Sequence, residues 1–389
     1  MRVVLAPDSY KDALSARHAA TAMAAGLRRA MPDAEIVSCP MGDGGEGTLD
    51  ALVAATGAQR CEADAHDALG RPAKAEWGWQ ESDRTAYIEL AETSGLQALS
   101  LDERTALHST TMGVGELIVA ALDAGAERLL LMLGGSATND GGAGMLTALG
   151  ARLLDSRGQP LPPGGAALAD LACLDLSGLD PRLKRLTVET AVDVDNPLTG
   201  SRGASAVFGP QKGATSQDVE RLDAALGHFA DHVAQALGKD YRDVPGAGAA
   251  GGMGFAARAL LNASLRPGIE LVMEQVDFEE LLDKADLVIT GEGRLDGQSL
   301  AGKTPIGIAR AAKRHHVPVV ILAGCLDGGW KDSYAEGVTA AFPLSSRPME
   351  LEAALSECPE LLADRAEAVI RLFSASPSRS RKISTGGAS

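Results

Sequence analysis

The sequence predicts an α/β protein with room for two domains, and three observations carry that prediction. Short apolar runs alternate with helix-like stretches at both ends of the chain. A hairpin-like pattern breaks that alternation from about residue 66, and the alternation resumes after residue 284. Glycine loops bearing carboxylates follow one predicted strand after another. At 389 residues the chain exceeds the usual size of one domain, which makes two the better expectation.

The first apolar run, 2–6 (RVVLA), reads as a strand, Ser15 as the cap of a helix over about 16–30, and 35–39 (EIVSC) as a second strand. A turn from Pro40, PMGDGGEGT, leads into an alanine-rich helix near 48–56. The segments AKAEWGWQ and RTAYIELAE flank Glu81, Ser82 and Asp83 like the arms of a β-hairpin, which is foreign to a purely parallel sheet. Further on, RLLLMLGG (128–135) and LTVETAVDVD (186–195) read as strands. Val219, Leu222, Leu226, Phe229, Val233 and Leu237 recur at three- and four-residue steps. That spacing predicts a core-facing helix over 219–237, with Thr215 or Ser216 as its cap and Gly238 just beyond its end. After 284 the pattern reads strand 285–290, helix about 305–314, strand 317–323 and strand 337–344. Residues 374–389 are polar, basic and rich in Ser and Gly, the composition of a disordered tail.

Composition narrows the function. A formal charge of −16 and a pI near 4.9 argue against electrostatically driven nucleic-acid binding, which needs clustered Lys and Arg. A small anionic substrate stays open, because a few local cations or a metal override the global sign. No apolar run approaches the ~18–20 residues of a membrane span. The first segment lacks a signal peptide's apolar core, so a soluble cytoplasmic protein is expected. Cys39, Cys61, Cys173, Cys325 and Cys358 are scattered without a CxxC pair and suggest neither a disulfide framework nor a zinc site.

Glycine accounts for 45 of the 389 residues, well above the usual ~7%. The excess is local: PDSYKD, MGDGGEG, GGSATNDGGAG, DVDNPLTG and GEGRLDGQSLAGK each follow a predicted strand, and each carries Asp or Glu. In open α/β sheets ligands collect at the carboxyl ends of strands, where loop N–H groups and helix starts point at them. Five such loops predict one polar cleft that handles phosphate and metal. Two short patterns compete with that picture. GQSLAGKT (297–304) satisfies GxxxxGK[ST], but Gly297 lies about seven residues past the predicted strand, and Pro305 marks a helix that starts after the motif. GAGAAG (246–251) satisfies GxGxxG with Glu270 nineteen residues on, yet no strand precedes it, so a tight backbone approach is its plainer use.

Phosphoryl transfer asks a protein mainly for positioning and charge neutralisation, and each part has a candidate here. Asp193 and Asp195 flank Val194 at the end of a predicted strand and suit a metal ligand, a catalytic base or an Asx-turn. Asp43 and Glu46 can bind metal or cap the helix that follows. Glu292, Arg294 and Asp296 form a mixed-sign group ahead of Lys303, which sits beside Gly302 as a phosphate ligand. Lys11, after Asp8 and Ser9, suits an acceptor's carboxylate or a phosphate. Asn139 and Asp140 lie in SATNDGGAG, where Ser136 can instead serve as a cap. His228 and His232 stand i, i+4 without the glutamate of HExxH or a third ligand, and no GxSxG elbow is present.

The blocks APDSYK, DGGEGT (43–48), GGSATNDGGAGM (134–145), DVDNPLTGSRGA with VFGPQKGA (193–214), PGAGAAGGMG (245–254) and TGEGRLDGQS with GKTP (290–305) strongly resemble the bacterial type I glycerate kinase family. They run in order over about residues 1–375, and six in register are specific. The resemblance implies ATP- and Mg²⁺-dependent phosphorylation of D-glycerate, with 2-phosphoglycerate the usual product. It implies a discontinuous Rossmann-like domain (1–65 with 285–373) and an inserted mixed α/β domain (66–284), with the active site in the interdomain cleft. Carried onto this chain, it puts Asp193, Asp195 and Lys11 in catalysis and Gly134, Ser136, Asn139, Lys212, Gly248, Arg294 and Lys303 at the nucleotide. Asp8, Ser9, Lys11, Asp43, Glu46, Glu292 and Asp296 then face the substrate, and Asp43, Asp193 and Glu292 the metal. The expected partners are glycerate and ATP, with no nucleic acid or membrane, in a monomer or homodimer.

The chain departs from the family pattern at Asp12-Ala13, Gly42 and Val192, and around Arg104, where the Arg-Asn-Pro usual before TTMGVGELI (110–118) is missing. Two rival functions remain: an NAD-dependent oxidoreductase of small hydroxy acids, resting on GAGAAG, and a non-catalytic sensor of nucleotide or metabolite.

Overall fold

A computed structural model describes residues 1–297 and 299–375. The expected tail therefore lies outside the described residues from 376 onward, while Ser374 closes the helix Cys358–Ser374. The strands are β1 (Arg2–Leu5), β2 (Glu35–Ser38), β3 (Gln59–His66), β4 (Pro72–Gln80), β5 (Thr85–Glu89), β6 (Arg128–Met132), β7 (Arg152–Leu154), β8 (Cys173–Asp175), β9 (Thr187–Ala191), β10 (Ser264–Arg266), β11 (Leu287–Leu295), β12 (Val319–Leu326) and β13 (Val338–Pro343). The chain divides into two compact units, Met1–Pro40 with Phe278 onward, and Met41–Asp277. Sequence texture put the changes near 66 and 284; β3, however, pairs along its whole length with β4, and residues 41–66 group with the middle of the chain. No helix among the described residues is long and apolar enough to cross a membrane.

The first unit is an all-parallel sheet in the order β13-β12-β11-β1-β2. Counted within the unit, this is the doubly wound order 2-1-3-4-5, which reverses direction between β1 and β11. Val3, Leu5, Leu287 and Ile289 are fully buried and pack with Met23 and Leu27 of the helix Ala16–Ala30 and with Leu362 and Ile370 of the helix Cys358–Ser374. Ser15 caps the first of these helices, as expected, by accepting from the His18 N–H. β11 is longer than predicted: it runs through Glu292 and Arg294 and pairs with β12 as far as Leu295. The apolar signal stops at Thr290, but the ladder to β12 carries the polar residues on in extended form.

The second unit has a six-stranded sheet in the order β10-β9-β6-β5-β4-β3 and a small β7-β8 ribbon. Strands β5, β6, β9 and β10 run parallel, whereas β3, β4 and β5 form an antiparallel meander that contains the expected hairpin around Glu81–Asp83. β9 stops at Ala191, so Asp193 and Asp195 lie in the loop beyond it and not within the strand expected over 186–195. The helix Ser216–Leu237 opens on a Thr215/Asp218 capping box and closes on Gly238 in the left-handed region. It buries Leu222, Leu226, Phe229 and Val233, whereas Leu237 is exposed because the last turn runs past the core.

The helices Ala16–Ala30 and Cys358–Ser374 meet at Gly26, where an added Cβ would lie 1.9 Å from the Ala363 carbonyl oxygen. Alanine is the better helix former by ~1 kcal/mol, but here overpacking of roughly 1–3 kcal/mol outweighs it. Gly26→Ala should therefore lower the midpoint of chemical denaturation, and an unchanged or raised midpoint would show that the two helices separate at little cost.

Candidate active site

In the second unit the loops after β5, β6, β9 and β10 leave neighbouring strands at their carboxyl ends, and the glycine loop 42–47 interlocks with them. The Gly134 N–H donates to the Gly44 carbonyl at 2.9 Å, and the Gly268 N–H donates to Asp193 Oδ1 at 2.9 Å. A Cβ on Gly268 would lie 1.8 Å from the Asp43 carbonyl oxygen, so only glycine permits this approach. The backbone of Asp43 and the carboxylate of Asp193 thus meet at one residue.

Carboxylates already occupy several helix starts of this unit. Asp140, 1% exposed, accepts from the Thr111 N–H and hydroxyl and from the N–H groups of Gly142 and Gly144. Burial raises its pKa while those four donors hold it down. Glu89, 2% exposed at the end of β5, accepts from the Gly47 and Leu49 N–H groups, both at 2.9 Å. Asp193 does the same for the helix Gly268–Gln275. Helix-start amides engaged in this way do not cradle phosphate. The loop 42–47 instead presents carboxylates: Asp43 is half-buried and Glu46 exposed, and the cap that either could have supplied comes from Glu89.

Several residues that the sequence suggested for the nucleotide are interior. Lys212 is 1% exposed; its Nζ donates to Ser136 Oγ at 2.8 Å and to the Thr138 carbonyl at 2.6 Å. Asn139 is fully buried and donates to Ser205 Oγ at 2.9 Å. The buried Gly248 donates its N–H to the Asn196 carbonyl, and a Cβ there would lie 2.3 Å from the Pro197 carbonyl oxygen. At Gly251 a Cβ would lie 2.0 Å from the Thr138 carbonyl oxygen. Gly248 and Gly251 of GAGAAG therefore serve backbone-to-backbone packing, with no strand just ahead of the motif. Gly134 stays half-exposed, and Asp193 and Asp195 are exposed.

In the first unit the strand order reverses between β1 and β11, and doubly wound sheets bind ligands in the crevice beyond the carboxyl ends of the strands at such a reversal. Asp8 lies there, its Oδ2 accepting from the Thr304 hydroxyl at 2.5 Å and its Oδ1 from the Ser9 N–H at 2.6 Å. Tyr10, 2% exposed, donates its hydroxyl to the Leu322 carbonyl at 2.5 Å and so pins the loop 6–11 across the sheet. Burial, then the charges of Cys358, Glu292 and Asp8, raise the Tyr10 pKa and keep it a neutral donor. Gly291 makes room for it, since a Cβ would lie 2.1 Å from the Tyr10 hydroxyl oxygen. Glu292 is buried on β11; Arg294, exposed two residues on, is 3.8 Å from Asp327.

The extended β11 removes the spacing objection to a phosphate loop at 297–304, but hydrogen bonding supplies another. The Ser299 N–H donates to Asp296 Oδ1, and the Gly302 and Lys303 N–H groups donate to the Ser299 carbonyl, so the segment turns its amides on itself. Half-buried Lys303 opens the helix Thr304–Arg314 without a side-chain cap, and Lys11 is exposed. Among the described residues, no three His, Cys, Asp or Glu side chains group so as to hold a metal ion. Sequence reasoning missed Glu89, Tyr10 and Thr304. The only signal for Glu89 is an acid closing the otherwise uncharged strand TAYIE.

Burial, opposed by the nearby Asp140 charge, pushes the Lys212 ammonium down to about 7 from the ordinary lysine value of 10.5. Between those values the unfolded chain holds more protons than the folded one, so stability attributable to Lys212 rises with pH. Denaturation midpoints of the wild type should gain on those of Lys212→Met from pH 6.5 to 9.5; a gap independent of pH would show that the ammonium stays charged inside the fold.

Comparison with known proteins places this architecture. Residues 3–374 match the model of the glycerate kinase family. The chain is 50% identical to a glycerate kinase of Bacillus subtilis (strain 168) over 362 residues, 93% of this chain and 95% of the relative. It is 48% identical to a glycerate 2-kinase of Escherichia coli (strain K12) over 88% of this chain and 90% of the relative. A crystal structure provisionally assigned as glycerate kinase 2 from Salmonella typhimurium LT2 superposes with a TM-score of 0.86 at 47% identity, covering 96% of this chain and 98% of that one. By sequence along nearly its whole length, and by fold, this chain belongs to the glycerate kinase family.

Proposed function

We propose that this protein transfers the γ-phosphoryl group of ATP to a hydroxyl of D-glycerate, giving 2-phosphoglycerate and ADP. The observation that carries the proposal is the family match over residues 3–374. In the step itself the glycerate oxygen bonds to the γ-phosphorus as the bond to the ADP oxygen breaks, and the hydroxyl proton passes to Asp193 or Asp195. Such a transition state needs in-line positioning and neutralised charge more than covalent help from the protein.

Lys11, Arg294 and Lys303 supply that neutralisation as ligands of the phosphates and of the glycerate carboxylate. Asp43, Glu46 and Glu292 orient the acceptor hydroxyls, with Asp8, Ser9 and Asp296 shaping the loops beside them. The buried Ser136, Asn139, Lys212 and Gly248 serve the nucleotide indirectly, by holding the loops 134–140 and 196–198 in place. Mg²⁺ is usually held by one or two carboxylates together with substrate phosphates, not by a dedicated cage. Asp43 and Asp193, whose loops meet at Gly268, fit that pattern. When bound, the ion neutralises phosphate charge.

ADP release coupled to NADH oxidation, measured with ATP, Mg²⁺ and glycerate, should show turnover that depends on glycerate; its absence would overturn the proposal. If Asp195 is the base, Asp195→Asn should lower kcat by ~10²-fold or more, and an unaffected rate would remove it from that role.

A further inference from the structure

A buried strand end is an expensive place for a carboxylate, because desolvation disfavours its charged form. Glu89 occupies such a place: β5 is buried along its whole length, and burial pushes the Glu89 carboxyl up to about 7 against the two amides that stabilise its charge. The charges of Glu92 and Glu46 act in the same direction as burial. Both carboxylate oxygens are engaged, Oε1 by Gly47 and Oε2 by Leu49. A helix start is ordinarily capped by its own neighbour in sequence. Here the N-cap is Gly47, which has no side chain and sits at φ +87, so the cap comes from a different strand, 42 and 40 positions along the chain.

A distant cap of this kind ties the loop to the sheet as well as closing the helix. Further hydrogen bonds of the loop 43–48 run from the Gly44 N–H to Thr48 Oγ1, from the Gly45 N–H to Asp43 Oδ1, and from the Gly134 N–H to the Gly44 carbonyl. Glu89 thus holds one end of the loop and Gly134 its middle, with Asp43 and Glu46 carried on the backbone around them. We propose that Glu89 is a positioning residue for catalysis: by fixing the amides of Gly47 and Leu49 to β5 it sets where the loop presents Asp43 and Glu46 to the phosphoryl acceptor. This rests on the reading that those two residues act on glycerate.

Glu89→Gln keeps the shape but offers one acceptor and one amino group, so it can accept from only one N–H and sets a donor against the other. The expected result is a folded protein in which hydrogen exchange of the 43–49 peptide rises ~10-fold. In the coupled ADP assay KM for glycerate should rise, or kcat fall, by ~10-fold or more while KM for ATP stays within about twofold. Leu52→Ala weakens the same helix from its buried face and measures the effect of instability alone. Should Glu89→Gln not fold, Glu89→Asp, which keeps the charge one methylene short, replaces it under the same criteria. Wild-type kinetics in the Glu89 variant, or changes no different from those of Leu52→Ala, would overturn the proposal, as would unchanged exchange at 43–49. Wild-type protein without glycerate-dependent ADP release would instead overturn the glycerate kinase reading, and the exchange data would then decide whether Glu89 fixes the loop.

Discussion

The carboxyl-end loops of the larger unit depend on buried carboxylates that must find N–H donors. A carboxylate taken out of water is tolerated only where hydrogen bonds replace the lost hydration, and the nearest dense source of unpaired donors is the start of a helix. Asp140 draws on four donors from two separate stretches, Thr111 and Gly142–Gly144, so the loop after β6 and the segment leading into the helix Met112–Ala124 are locked together. Asp193, though exposed, also ties the loop after β9 to the helix after β10. Each pairing satisfies amides that would otherwise be orphaned, and at Asp140 and Glu89 it also replaces the hydration of a buried acid.

The abundance of glycine follows from the same interlock. Loops joined backbone to backbone leave no room for side chains at the crossing points, and the Cβ clearances of 1.8 Å at Gly268, 2.0 Å at Gly251 and 2.3 Å at Gly248 are far inside van der Waals contact. The glycines therefore bring loops together more than they wrap phosphates. Cations and exposed acids then decide what the assembled loops present. Lys212 has gone inside, where it joins Ser136 to Thr138, while Lys11 and Arg294 remain exposed.

The smaller unit solves the positioning problem with a tyrosine. In a parallel sheet the loop after β1 would be held only at its ends, but Tyr10 reaches across Gly291 to the Leu322 carbonyl, and Thr304 ties Asp8 to the start of the next helix. The loop that carries Asp8, Ser9 and Lys11 is thereby fixed to β11, to β12 and to the helix Thr304–Arg314. All three supports converge on the crevice that the strand order creates.

Local patterns made much of this legible beforehand. Apolar periodicity located β1, the helix Ala16–Ala30 and the helix Ser216–Leu237 with its Thr215 cap, because those elements bury one face along their own length. Clustered glycines and acids marked the loops that meet in space, and six ordered motifs pointed to the family. The sequence by itself could not decide the extent of β11, whose polar half is held extended by β12, or the end of β9 short of Asp193. Nor could it separate Lys212, Asn139 and Gly248, which are interior, from Lys11 and Asp195, which face solvent. Local order is written in nearest neighbours, but burial and capping depend on partners far along the chain: 42 positions separate Glu89 from Gly47, and 296 separate Asp8 from Thr304. Only the tertiary structure brings such partners within hydrogen-bonding distance, and so only it decides which acids are structural caps and which remain available for chemistry.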